Sequence, residues 1–279
     1  MWNQIKTVLL LGGLSGLILL AGRIIGGQAG LLIALFFAVI MNFGMYFFSH
    51  KLVLTIYRAQ IARKGEHPEL HRMIEELAKK MHLPKPALYI IPTATPNAFA
   101  TGPSPKKAVV AVTQGITDIL TPQELHAVLA HEMGHIKNRD MLITTLAATL
   151  AAVISFIAQT AQFAAIFGTR DEDSAGLLGT LFLALLAPII ALIIQLAISR
   201  SREYLADETG ARAIGNGKAL ASALQKLEHG VRARPLRFGN TTTSSLFIVN
   251  PFTAQGITAL FSTHPPTRER VKRLEGLKL

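Results

Sequence analysis

The sequence predicts a mainly α-helical, polytopic membrane protein with about four transmembrane helices and, on one side of the bilayer, an α+β domain holding a small β-sheet. Three observations predict it. Half of the 279 residues are apolar and only 16% are charged, with a mean hydropathy of +0.39, which strains a purely soluble reading. Four long stretches lack Asp, Glu, Lys and Arg: Thr7 to Gly22, Ile24 to His50, Met141 to Thr169 and Ser174 to Ser199. About 20 apolar residues cross a hydrocarbon core about 30 Å thick. Finally, the charge is sorted by segment. Lys51 to Asp140 holds 12 Lys/Arg against eight Asp/Glu, and Arg200 to Leu279 holds 13 against six, whereas Gly168 to Gly176 sets Arg170 against Asp171, Glu172 and Asp173.

Basic residues collect on the cytoplasmic side, so both long polar segments and both termini are expected inside, with the acidic loop outside. Residues 7–48 then form a transmembrane hairpin, 49–140 a first cytoplasmic part, 141–198 a second hairpin and 199–279 a second cytoplasmic part. An even number of crossings separates the two cytoplasmic parts, so they can close into one domain. The first run follows Lys6, as a signal peptide might, but no small-x-small cleavage site follows it. The net charge of +11 is scattered without an aromatic-interleaved patch, which argues against nucleic acid as a partner. With no cysteine, disulfides and thiolate metal sites are excluded, leaving His and carboxylates as strong ligands.

Along the first cytoplasmic part, Pro68 to Leu83 reads as an amphipathic helix with Leu70, Ile74, Leu77 and Met81 on one face. Ala87 to Ile91 and Ala108 to Thr113 are β-rich runs bounded by Pro, Thr and Gly, and predict the sheet. Thr121, Pro122 and Glu124 mark a helix start, with Thr121 as cap, Pro122 in the first turn and Glu124 closing a capping box. That helix runs toward Asp140, where the third apolar run begins. The second part shows helical patterns at Lys218 to Val231 and Thr267 to Leu277, around a polar loop at Gly239 to Ser245.

The helix after Thr121 carries His131-Glu132-Met133-Gly134-His135, a match to H-E-x-x-H. On a helix, the i, i+4 spacing projects both imidazoles from one face, where one metal ion can bridge them. Glu132 sits beside that face and is placed to take a proton from a water that the metal acidifies. A catalytic zinc needs a third protein ligand, which here must be His, Asp or Glu. Glu203 follows the fourth run directly and heads the candidates, with Glu208 and His264 as competitors. Asp207, one turn on, could hold the outer ring nitrogen of a ligand histidine.

Taken together, Pro96-Asn97-Ala98-Phe99-Ala100, His131 to Asp140 (HEMGHIKNRD), Glu203 to Asp207 (EYLAD), and Thr263-His264-Pro265-Pro266 with Arg270 resemble the HtpX-type integral-membrane zinc metalloproteases. These are relatives of the endopeptidases that process prenylated CaaX proteins. The resemblance spans essentially the whole chain and implies a zincin-like catalytic domain with one zinc ion per chain. It implies Glu203 as third zinc ligand, Asp207 behind a ligand histidine, His264 as a donor to the tetrahedral intermediate with Arg270 supporting it, and Asn97 on an edge strand that aligns the substrate backbone. It further implies a multi-pass protein of the inner membrane that cuts misfolded membrane proteins and polypeptides near the cytoplasmic face. Two rivals stand beside this: a prenyl-protein processing protease, and a catalytically silent membrane scaffold with a structural metal. His50, His67, His71, His82, His126 and His229 fit no motif. Asn42, Gln159, Gln162 and Gln195 fall within predicted spans, as helix contacts or as marks of a wet cavity.

Overall fold

A computed structural model describes residues 2–146, 200–233, 248 and 265–279. The runs predicted as third and fourth spans lie outside the described residues, apart from the helical segment 141–146, as does the loop at 239–245. The chain is mostly helical, with one small mixed sheet.

Helix α1 (Trp2–Ile56) is interrupted where Gly26 (φ −126°, ψ 16°) and Gly27 (φ 58°, ψ −134°) leave helical dihedrals. Gly27 takes a positive φ that residues with a Cβ avoid. The chain reverses there. Arg23 Nη1 donates to Gln28 Oε1 at 2.9 Å, and Asn42 Nδ2 donates to Ser15 Oγ at 2.7 Å across 27 positions. Gly22 and Gly30 let the two arms touch, because a Cβ on Gly22 would stand 2.6 Å from the Gly30 carbonyl oxygen. Asn42, open between two readings in the sequence, makes a helix contact. The stretch Gly26–Gly44 is long and apolar enough to cross a membrane, and Leu32, Phe36, Phe37, Ile40 and Phe43 project outward from it.

After α1 come β1 (Gln60–Ile61), α2 (Pro68–Met81), β2 (Ala87–Ile91), β3 (Ala98–Thr101) and β4 (Val109–Thr113). Next are α3 (Gln114–Ile119), α4 (Pro122–Asn138), α5 (Arg200–Ile214), α6 (Gly217–Ala233) and α7 (Thr267–Glu275). The sheet order is β1-β2-β4-β3, with β2 and β4 parallel and both outer pairs antiparallel. The two predicted runs became β2 and β4. Strand β4 is buried at every position, as a central strand covered on both faces must be. One face, with Leu88, Ile90, Val110 and Val112, joins the main core, to which α2 contributes Leu70, Ile74, Leu77 and Met81 and α6 contributes Leu220, Leu224 and Leu227. The other face, with Ile91, Phe99, Val109 and Ala111, receives Val53 and Leu54 from the end of α1. Each such fully buried side chain contributes about 1.5–3 kcal/mol.

Helix α4 lies in the middle of this core. Its predicted capping box is present: Thr121 Oγ1 accepts from the Glu124 N–H and the Glu124 side chain accepts from the Thr121 N–H. Leu125, Val128, Leu129, Met133 and Ile136 anchor it, so the histidines ride on a helix that cannot roll.

Candidate active site

His131 and His135 project from the last turns of α4. Their Nε2 atoms face each other at 3.1 Å. Helix α5 brings Glu203 to the same point, with Oε1 3.7 Å from His135 Nε2 and Oε2 3.8 Å from His131 Nε2. Ligand atoms of these three residues all lie within 4.8 Å of one another. Glycines permit this approach of α4 and α5. A Cβ on Gly134 would stand 2.9 Å from the Ala206 carbonyl oxygen, and one on Gly210 would stand 2.7 Å from the His131 nitrogen.

The outer ring nitrogens meet carboxylates. Asp207 Oδ1 lies 2.9 Å from His131 Nδ1, and both oxygens of Asp140 lie 3.1 Å from His135 Nδ1. Arg270, 1% exposed, grips Asp207 with two hydrogen bonds, Nε to Oδ2 at 2.9 Å and Nη2 to Oδ1 at 2.7 Å, and its Nη1 donates to the Ile248 carbonyl at 2.8 Å. The Asn97 Oδ1 accepts the Ile248 N–H at 3.1 Å, so both backbone groups of Ile248 are held by residues singled out in the sequence. Asn97 immediately precedes β3, an edge strand, and the Ala100 N–H of that strand reaches the Glu132 carboxyl. His264 lies outside the described residues.

Electrostatics follow from this crowding. Burial, with the charge of Glu203, pushes the Glu132 carboxyl up to about 8 against the pull of His135. Burial also lowers His131, outweighing Asp207, which keeps the imidazole neutral as a metal ligand must be. At His135 burial lowers the value too, yet Asp140, Glu203 and Glu132 together drive it up to about 10. Asp207 is raised by burial but pulled down to about 2 by Arg270 and His131. Two inward ring nitrogens, one carboxylate and further buried carboxyl groups fit a divalent cation, because they converge their donors and supply the balancing negative charge. Three N/O ligands are the set that a catalytic zinc takes.

The sequence pattern of peptidase family M48 matches residues 64–278. The chain belongs to peptidase family M48. Among its curated relatives, the protease HtpX homolog of Persephonella marina is 56% identical over 277 residues, covering 98% of this chain and 96% of the relative. That of Pyrococcus furiosus is 52% identical over 277 residues, covering 99% and 96%. The crystal structure of S. mikatae Ste24p matches with a TM-score of 0.53 and 21% identity over 98% of this chain, which spans 65% of the longer Ste24p chain. That likeness concerns the fold.

In this M48 chain, sequence reasoning singled out Glu203 and Asp207 but missed Asp140, Gly210 and Ile248. Asp140 stood inside the HEMGHIKNRD segment, but only as the end of a helix. Glu208, a competitor for the metal, points elsewhere and accepts from Arg212 Nε at 2.9 Å.

Proposed function

We propose that this chain is a membrane-embedded zinc endopeptidase that cuts polypeptides close to the cytoplasmic face, misfolded membrane proteins among them. The observation that carries this reading is the convergence of His131, His135 and Glu203 beside a buried Glu132 in an M48 peptidase. His131, His135 and Glu203 would hold the ion. When bound, zinc supplies the Lewis acidity that polarises a scissile carbonyl and acidifies the attacking water. Glu132 accepts the water's proton and passes a proton to the leaving amine. Asp207 keeps the His131 ring turned inward, and Arg270 holds Asp207. By resemblance, His264 donates to the oxyanion. The edge position of β3 suits a substrate segment that lies alongside it as an added strand, with Asn97 at its start. The M48 assignment and the relatives' protease names support hydrolysis. The outward apolar face of Gly26–Gly44 supports membrane residence, and the sorted charges support four spans with both termini inside.

The test is cleavage of an unfolded protein by the detergent-solubilised chain, paired with metal analysis. Glu132→Gln should abolish cleavage while zinc stays bound, since the amide cannot act as a base while the ligands remain. Glu203→Gln should lose zinc as well as activity. Full zinc occupancy in Glu203→Gln would move the third ligand elsewhere, and zinc loss in Glu132→Gln would put Glu132 among the ligands.

A further inference from the structure

We propose that Asp140 is a positioning residue for the metal: its carboxylate fixes the tautomer and ring orientation of His135 so that Nε2 faces the ion, the part that Asp207, 2.9 Å from Nδ1, would play for His131. The proposal deepens the zinc reading above and rests on it.

The geometry begins in the way α4 ends. Arg139 adopts the left-handed conformation (φ 56°, ψ 37°), its N–H reaches the Ile136 carbonyl at 3.2 Å, and the Asp140 N–H reaches the His135 carbonyl at 3.3 Å. These are the paired bonds of a Schellman motif. Glycine usually takes the left-handed position, because any other residue costs about 1–2 kcal/mol there. Here Arg139 takes it. The motif folds the backbone so that the residue five positions after His135 turns back over its ring, which a continuing helix would not do. Asp140 is 1% exposed, and both of its oxygens lie 3.1 Å from His135 Nδ1.

A plainer role competes with this one. Asp140 opens the helical segment 141–146, its carbonyl accepting from the Thr144 N–H at 3.2 Å, and Asp is a favoured N-cap. Its carboxylate nevertheless makes its hydrogen bonds to His135 and none to the N–H groups of Leu142 or Ile143. The Asp140 oxygens accept from the Nδ1–H, so Nδ1 keeps its proton and Nε2 is the nitrogen that gives its proton up and offers a lone pair when a cation binds. That lone pair points at His131 Nε2 and Glu203. Each ligand histidine thus has its own carboxylate, one from α5 and one from the exit of α4. Partners of this kind, removed, cost about 10–100-fold in metal affinity.

The experiment measures zinc affinity of the full-length, metal-stripped protein in detergent, by competition with a chelating indicator, alongside the thermal midpoint of each metal-free variant. Asp140→Ala should weaken zinc binding about 10–100-fold. Asp140→Asn keeps an acceptor for Nδ1–H and should lose several-fold less. Asp140→Ser can cap the next helix but lacks the carboxylate, so it should bind as weakly as the Ala variant. Wild-type affinity in Asp140→Ala overturns the proposal, and so does recovery of affinity in Asp140→Ser, which would make Asp140 a helix cap. If Asp140→Ala does not fold, the Asn and Ser variants decide: tighter zinc binding by Asn upholds the role, and equal or tighter binding by Ser overturns it. Failure of the unmodified chain to bind zinc would instead refute the metal reading itself.

Discussion

Glu124 accepts from two directions: from the Thr121 N–H at 2.9 Å and hydroxyl at 3.0 Å within its own capping box, and from Ser222 Oγ and Lys226 Nζ of α6, each at 2.7 Å. Burial raises its pKa, but the bonds from Lys226, Ser222 and Thr121 outweigh this and hold the carboxyl at about 2, below its usual 4.5. A folded value below the unfolded one means that the stabilisation is fully present above about pH 4.5 and is lost as pH falls through about 2. Glu124→Gln should therefore lower stability by about 1–3 kcal/mol at pH 7, the range for a hydrogen bond to a charged group and its buried partners. The gap between variant and parent should shrink in thermal melts as the pH is lowered from 4.5 toward 2; a constant gap would assign the loss to packing. The capping box was legible in the sequence because its partners are three residues apart. The bonds to Ser222 and Lys226 were not, since about 100 residues separate the partners. The same holds at the site. His131, Glu132 and His135 declare themselves by spacing on one helix, whereas Asp140 against His135 depends on how that helix ends and Arg270 against Asp207 depends on tertiary packing.

At the level of elements, the site exists because α4 and α5 touch backbone to backbone. Gly210 makes the closest approach: an added Cβ would stand 2.7 Å from the His131 nitrogen, 2.8 Å from the Ala130 carbonyl carbon and 2.9 Å from its oxygen. Gly210→Ala gains about 1 kcal/mol of helix propensity, but the atoms it meets are backbone and cannot rotate away. Overpacking of this kind costs about 1–3 kcal/mol, so the clash wins. The displaced helix carries Glu203, and zinc affinity should fall together with the thermal midpoint. A more stable Gly210→Ala variant with unchanged zinc affinity would refute the close contact. Helices α2, α4, α6 and α7 were readable from apolar spacing and caps, and β2 and β4 from β-rich runs between breakers. Strand β3 was not readable from composition, because Ala98-Phe99-Ala100-Thr101 is half alanine, and only the resemblance, which put Asn97 on an edge strand, pointed to it; β1 has only two residues. Within the N-terminal hairpin the turn falls at Gly26–Gly27, where Gly27 takes a positive φ and Gly22 and Gly30 let the two arms approach closely.

For the whole molecule the question is which way the domain faces. Gly26–Gly44 shows Leu32, Phe36, Phe37, Ile40 and Phe43 outward at 50–64% exposure, a surface suited to lipid. Its end continues through Val53 and Leu54 into the sheet that underlies β3, so the domain is tied to the side on which α1 ends. Lys/Arg excess in 51–140 and 200–279, with Asp171, Glu172 and Asp173 in the stretch between the remaining apolar runs, is the basis for proposing that this side is cytoplasmic. The chain contains no cysteine, so single cysteines report without background. One placed at Ser174, beside the acidic triplet, should react in intact cells with a membrane-impermeant thiol reagent. One placed at Asn216, on the polar turn between α5 and α6, should react only after the membrane is opened. The reverse pattern would invert the topology and put the peptidase outside. Labelling of both sites in intact cells would remove the fourth crossing, because the two positions would then share a side with only one predicted apolar run between them. Protection of both would place the acidic triplet inside, against the charge rule, and would make the last two runs a re-entrant or interfacial pair.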